Sequence, residues 1–406
     1  MVNLKKLKNG ITLIVHQVPE ISSMAYSFHM LGGLQSDPED KLGASLILTE
    51  MTSRAGGNYD KVQFSQELDK YGINHSENAS FDSFNYSGVC LASESRKALE
   101  LLSCMVVRPT FPEDTFLGMQ NIFLQDLKVL EDNASRKAMF EFNKKYFPPP
   151  HNRSGLGTES GLLNTSYSTI KDLWQKTYSP QGAVLSLAGN INEDEISKIV
   201  EEYFGNWSGN LYDLAKYQGD KNFFKTHIDF DSNQTQIIIA HPSVKVLDDQ
   251  YYVAQVANQI LSGGMFGRLF EEVREKRGLC YSVSSSFSAT LDYGRVLYYA
   301  GTTTERAQET LSVMIDVVNS IVGTIKDSEL HRAKIDLLSG FIIGNESTKA
   351  KAFRNYIEYH FRNKIRCIDE VKEKINSVTI SDLDTYFKKY NLSNYSLLTL
   401  GKDSLV

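Results

Sequence analysis

The 406-residue chain is short of the residues that most chemistries need. It has four cysteines, Cys90, Cys104, Cys280 and Cys367, far apart and without a C-x-x-C pair. That excludes a disulfide scaffold and a zinc ribbon, and it leads us to expect reduced core residues and a cytoplasmic protein. The eight histidines are as scattered. No two lie three to five residues apart, so H-x-x-E-H, H-E-x-x-H and finger spacings are all absent. A zinc site built from two neighbouring histidines is thereby excluded. A surplus of positive charge is missing too. The net charge of −6 argues against a general nucleic-acid binder, which needs a basic stripe. No apolar run reaches the length of a membrane span. The first residues read as a strand with no signal-peptide pattern, and a periplasmic location stays open if a signal was removed. No G-x-S-x-G, P-loop or paired catalytic cysteine is present. His75 with Asp82, and His151, read as surface polar residues.

What is present is ordinary globular material, 41% hydrophobic and 23% charged, enough for two or more cores. Leu4 to Leu7 and Ile11 to His16 read as a hairpin about Asn9-Gly10, a favoured pair for a tight primed turn. A strand over Met24 to Leu31 ends at Gly32-Gly33. Gly43 to Met51 then reads as an amphipathic helix, with Asp37 and Pro38-Glu39-Asp40 as its start signal. Further expected elements are a helix over 59–71, two strands within 74–92, and helices over 93–107 and 110–131. An extended proline-rich loop follows over 143–157, then a helix from a Ser168 cap to Thr177, a strand over 183–188 and a helix over 192–204.

Residues 205–224 are polar and glycine-bearing, and the pattern then begins again. Strand Val89 to Ala92 leads to Ser95-Arg96-Lys97-Ala98-Leu99 and a long helix from Pro112. Strand Leu297 to Ala300 leads to Glu305-Arg306-Ala307 and a helix from Lys326. The offset is about 209 residues, roughly half the chain, so each half is long enough for an independent domain. Strands precede helices in each, so the fold class is α+β: two homologous domains, 1–215 and 216–406, each a mixed sheet with helices packed on it. A duplicated pair of this kind can enclose a cavity.

The most distinctive stretch runs from Leu261 to Val283. It reads as a glycine-rich turn at Gly263-Gly264, a charged helix stopped at Gly278, and a strand. Arg274 and Tyr281 lie seven apart across the helix-to-strand turn, where both side chains can project the same way. An arginine can hold a peptide carbonyl or carboxylate, and a tyrosine hydroxyl can donate to a developing oxyanion. The bland alternative is a flexible loop and a solvated helix face.

Arg268 to Val283 resembles the second-domain signature of the pitrilysin/insulinase family of metallopeptidases. The first half agrees: Lys8 to Ile11 resembles the family's opening hairpin, Gly155 to Glu159 its L-G-T loop, and Tyr178-Ser179-Pro180 through Asn190 its Y-x-P strand. The resemblance implies that Arg274 and Tyr281 contact substrate and that the Gly263-Gly264 loop steers it. It also implies that the two domains face each other across a cavity. Laid on Gly43 to Met51, the family's H-x-x-E-H motif puts its histidines at Leu46 and Glu50 and its catalytic Glu at Thr49. The third ligand falls on Asp126. Two carboxylates without histidine make a poor zinc site, so no metal is expected in this chain.

The resemblance therefore implies a zinc-free subunit. A homologous partner would carry H-x-x-E-H and the zinc, unfolded peptides would be the substrates, and hydrolysis would require both chains. The alternative from another class is an inactive structural or peptide-binding homologue, with a homodimer open for the isolated chain. A third reading, an autonomous metallopeptidase, conflicts with the missing histidines.

Overall fold

The protein is seen in a computed structural model that describes residues 2–217, 219 and 223–405. The first half runs β1 (Val2–Lys6), β2 (Thr12–Gln17), β3 (Ser23–Leu31), α1 (Ala44–Thr52), α2 (Lys61–Lys70), β4 (Asn74–Ala79), β5 (Ser83–Leu91), α3 (Ser95–Val106), α4 (Glu113–Glu131), α5 (Ala134–Tyr146), α6 (Glu159–Asn164), α7 (Tyr167–Thr177), β6 (Val184–Gly189) and α8 (Glu193–Phe204). The second runs β7 (Lys225–Asp229), β8 (Gln234–Pro242), α9 (Tyr251–Ser262), a π-helix (Phe270–Glu275), β9 (Cys280–Ala289), β10 (Gly294–Thr303), α10 (Ala307–Asn319), α11 (Asp327–Ile343), α12 (Thr348–Arg362), α13 (Ile368–Asn376), α14 (Ile380–Lys389) and β11 (Ser396–Gly401).

The α+β class holds, and the duplication extends to the sheets. The first sheet has the order β1-β2-β6-β3-β5-β4 and the second β7-β11-β8-β10-β9. In each, one pair is parallel, β2 with β6 and β7 with β11. The other pairs are antiparallel. Apart from β1, the orders match strand for strand, and most of the helices between matching strands recur as well.

Two compact units result, and neither is a contiguous stretch of chain. Unit 1 comprises 1–129, 149–216 and 345–360; unit 2 comprises 130–148, 217–344 and 361–406. The contiguous division 1–215 and 216–406 therefore leaves out an exchange of two segments. In unit 1, α1, α3 and α8 bury Ile47, Leu102 and Val200 against one sheet face with Phe28, Tyr86 and Leu185. On the other face, Ala352 of α12 packs on Ala25 and Ala188, whose small side chains let the helix lie close to the sheet. In unit 2, α5 does the equivalent with larger residues. Ala138 and Phe142 pack on Ile238, Leu297 and Leu398. Each sheet thus has a face covered by a helix from the other half of the sequence.

The sequence reading missed α5, α6, β7, β11 and α12 to α14. The chain from Asn143 to Tyr146 is the end of α5, and the irregular stretch begins only at Phe147. The cap of α7 is Ser166, in a capping box with Thr169, and not Ser168. Three cysteines are buried as expected. Cys367 is exposed, and its sulfur accepts the Glu370 N–H at the start of α13.

Candidate functional site

Helix α1, on which the resemblance lays the family's metal motif, is built as a packing element. Its true start is Gly43, in a left-handed conformation with φ 110°. Pro38-Glu39-Asp40 lie in turns before it, so they are not its first turn. Asp37 does cap the helix, but from six residues upstream. Its two carboxylate oxygens accept the N–H groups of Gly43 and Ser45, each at 2.7 Å. Burial pushes the Asp37 carboxyl up to about 6, against the lowering effect of those N–H bonds and the nearby Arg153. Arg153 donates to the carbonyls of Leu34, Gln35 and Asp37 and so fixes the same turn. The L-G-T loop braces it from the other side. A side chain at Gly157 would strike the Leu42 carbonyl, and the Thr158 N–H donates to that carbonyl.

Every residue of α1 except Glu50 is buried, so the helix is not amphipathic. At its end, Thr52, Tyr86 and Tyr178 form a buried hydroxyl chain with 2.6 Å links. The four positions under test offer little to a metal. Leu46 is a buried hydrocarbon. Thr49 donates its hydroxyl to the Ser45 carbonyl at 2.7 Å. Glu50 is paired with Arg54 one turn on, at 2.7 Å. Asp126 is an exposed residue of α4. A hydrocarbon, a committed hydroxyl, a carboxylate already paired with a guanidinium and one exposed carboxylate do not make the tetrahedral set, usually built with histidine or cysteine, that zinc takes.

The second-half segment is arranged differently. The chain from Arg268 to Lys276 widens into the π-helix, in which Lys276 N–H bonds the Glu271 carbonyl at 2.9 Å. Such wide turns re-aim side chains and recur at functional sites. Gly278, at φ 59°, ends it. The turn is then held by Thr302, whose hydroxyl donates to the Leu279 carbonyl at 2.5 Å, and by Arg306, which donates to the Gly278 carbonyl. Arg268 anchors the other end, donating twice to Glu329 at 2.8 and 2.9 Å.

Between these anchors Arg274 and Tyr281 come together. The guanidinium lies 5.4 Å from the Tyr281 ring centroid and 4.8 Å from that of Phe270. Two aromatic faces hold it flat by cation–π attraction, and among the described residues no carboxylate pairs with it. Tyr281 is 81% exposed. Behind it Cys280 is buried, which pushes its thiol up to about 11 although Arg274 pulls the other way. Phe270 was not singled out from the sequence; its signal is the four-residue spacing to Arg274 on one helical face. In the glycine loop, Gly263 closes α9, and a side chain there would strike the Gln259 carbonyl. Gly264 takes φ 66°. The loop lifts Met265 and Phe266 into solvent, and Arg332 donates to the Phe266 carbonyl.

Two models of one family match the chain: Insulinase (Peptidase family M16) over residues 16–145 and Peptidase M16 inactive domain over 164–337. The chain belongs to the peptidase M16, or insulinase, family. Within the M16 family it is of the non-catalytic type. A Rickettsia bellii protein called an uncharacterized zinc protease is 24% identical over 99% of this chain and 98% of its own length. A Bacillus subtilis protein of similar description is 23% identical over the same shares. A Pseudomonas fluorescens structure, described as a peptidase M16 inactive domain, superposes with a TM-score of 0.91 at 22% identity, covering 99% of this chain and 98% of that one.

Proposed function

We propose that this chain is the zinc-free subunit of a two-chain M16 peptidase. A homologous partner bears the H-x-x-E-H zinc site, and unfolded peptides are the substrates. The observation that carries this reading is the Arg274–Tyr281 pair: a guanidinium held between two rings with no carboxylate partner among the described residues, beside a tyrosine left 81% exposed. A structural arginine would be expected to find a carboxylate. This one is left available, and a guanidinium so placed can take a peptide carbonyl, or a carboxylate in two parallel bonds.

In this reading Arg274 anchors the substrate backbone. Tyr281 donates its hydroxyl to the oxyanion that develops on the scissile carbonyl. The Gly263-Gly264 loop steers the chain by offering Met265 and Phe266 to apolar side chains. Hydrolysis requires both subunits. In the reconstituted pair, Tyr281→Phe lowers kcat by about 100-fold, the usual cost of one lost oxyanion donor, and Arg274→Ala acts mainly on KM. Full activity in both variants would leave the chain as a structural or peptide-binding homologue.

A further inference from the structure

A second feature of unit 2 shares no residue with the pair just described. The loop before α9, the start of α9, the end of α12 and the first turns of α13 line an open cavity of about 530 Å³. That volume suits a small ligand, and the lining joins aromatic rings to charged side chains of both signs. Tyr251 and Tyr252 meet edge to face, with centroids 5.2 Å apart. Arg362 lies 5.7 Å from the Tyr251 ring and Arg366 5.6 Å from the Tyr252 ring. Arg362 also donates to the Val246 carbonyl at 3.0 Å, which fixes its plane. Between the two arginines Asn363 takes φ 52°, an unusual conformation for a residue other than glycine, and the chain turns there so that both arginines line one cavity. Lys364, Lys374, Asp248, Asp249, Glu370 and Glu373 line it as well. Asp248 caps the Gln250 N–H at 2.8 Å, while Asp249 has no partner among the described residues.

Planar cations, aromatic rings and carboxylates in one cavity match a zwitterion with an apolar side chain. The carboxylates would repel a polyanion such as a nucleotide, and the arginines would repel a bare cation. We propose that this cavity binds a free amino acid or short peptide. Its carboxylate sits on Arg362 and Arg366, its side chain on the tyrosine rings, and its ammonium group toward Asp249.

The test is calorimetric titration of the purified chain with alanyl-phenylalanine, its C-terminal amide and its N-acetyl form. The expected result is one site per chain with a Kd below about 1 mM for the free dipeptide. Binding falls at least tenfold on amidation and falls again on acetylation. Arg366→Gln removes the carboxylate contact. Leu247→Trp, at a wall residue 58% exposed, fills the cavity without deleting a contact. Both variants abolish the heat while the melting temperature stays at its wild-type value. Tyr281→Phe and Arg274→Ala leave it unchanged. Silence of the folded wild type at several millimolar, equal binding of the amide, or binding that survives Leu247→Trp would overturn the proposal. Loss of binding on Arg274→Ala alone would place the dipeptide at the other site, and would equally overturn it.

Discussion

Thr49, which the family resemblance aligns with the catalytic glutamate, uses its hydroxyl on the helix's own backbone. Its neighbour Glu50 is held by Arg54. These two details make the position structural at the level of single atoms. The same scale gives two stability predictions. Asp37→Ala removes the acceptor for two buried N–H groups at the start of α1. It costs about 1–3 kcal/mol, the penalty for stranded buried donors, read from urea unfolding. The second concerns His29, which stacks on Tyr356 of α12 with centroids 3.3 Å apart and shares a 2.7 Å hydrogen bond with Ser27. Burial pushes its pKa from 6.5 down to about 3, partly opposed by Asn85. The unfolded chain therefore takes up this proton first as the pH falls. The stability that wild type holds over His29→Gln is full above pH 6.5 and shrinks by about 1.4 kcal/mol per pH unit below it. Urea midpoints at pH 7.5, 6.5, 5.5 and 4.5 check the sign. A difference that grows in acid would contradict it.

At the scale of elements, periodicity and turn residues made most of the first half legible. The hairpin about Asn9-Gly10, β3 and the long acidic-start helix α4 lie where glycine, caps and apolar spacing put them, but the hairpin closes through residues 7–11 with positive φ at Gly10 and not at Asn9, so its turn is not the tight primed one. Gly43 was read as part of α1, because a left-handed glycine and a cap six residues away leave no contiguous signal. Helix α5 was illegible for a different reason. Its buried residues Ala138, Phe142 and Tyr146 are sparse among lysines and an arginine, and they pack on a sheet from the other half of the sequence. Helix α12 is its counterpart. It meets unit 1 through Ser23–Thr348, Thr12–Tyr359 and His16–Asn355 hydrogen bonds, so its buried face is polar and its apolar spacing weak. Fragments cut at 216/217 test the exchange. The fragment 1–216 lacks α12 and the fragment 217–406 lacks α5, so each leaves a sheet face bare. Neither should unfold cooperatively alone by circular dichroism, and mixing them should restore one transition. Cooperative unfolding of either fragment by itself would contradict this.

At the scale of the molecule, duplication was readable as a repeated strand-to-helix pattern, and the matched sheet orders extend it strand for strand. The two halves have since diverged in what they offer. The first half presents a helix, α1, buried at every residue except Glu50. The second presents Arg274 against Phe270 and Tyr281 on an exposed turn. The seven-residue spacing of that pair was visible in the sequence. The bonds from Thr302 and Arg306 that fix the turn come from residues 23 and 28 positions away from their targets and carry no local signal. The account stands on a division of labour between this chain and a homologous partner. The most direct test is peptide cleavage by the chain co-purified with an H-x-x-E-H homologue from its native host, measured for each chain alone, for the pair, and for the pair carrying Tyr281→Phe. The account predicts no cleavage by this chain alone, cleavage by the pair, and about a 100-fold loss in the variant pair. Cleavage by this chain alone, or a Tyr281→Phe pair as active as wild type, would contradict it.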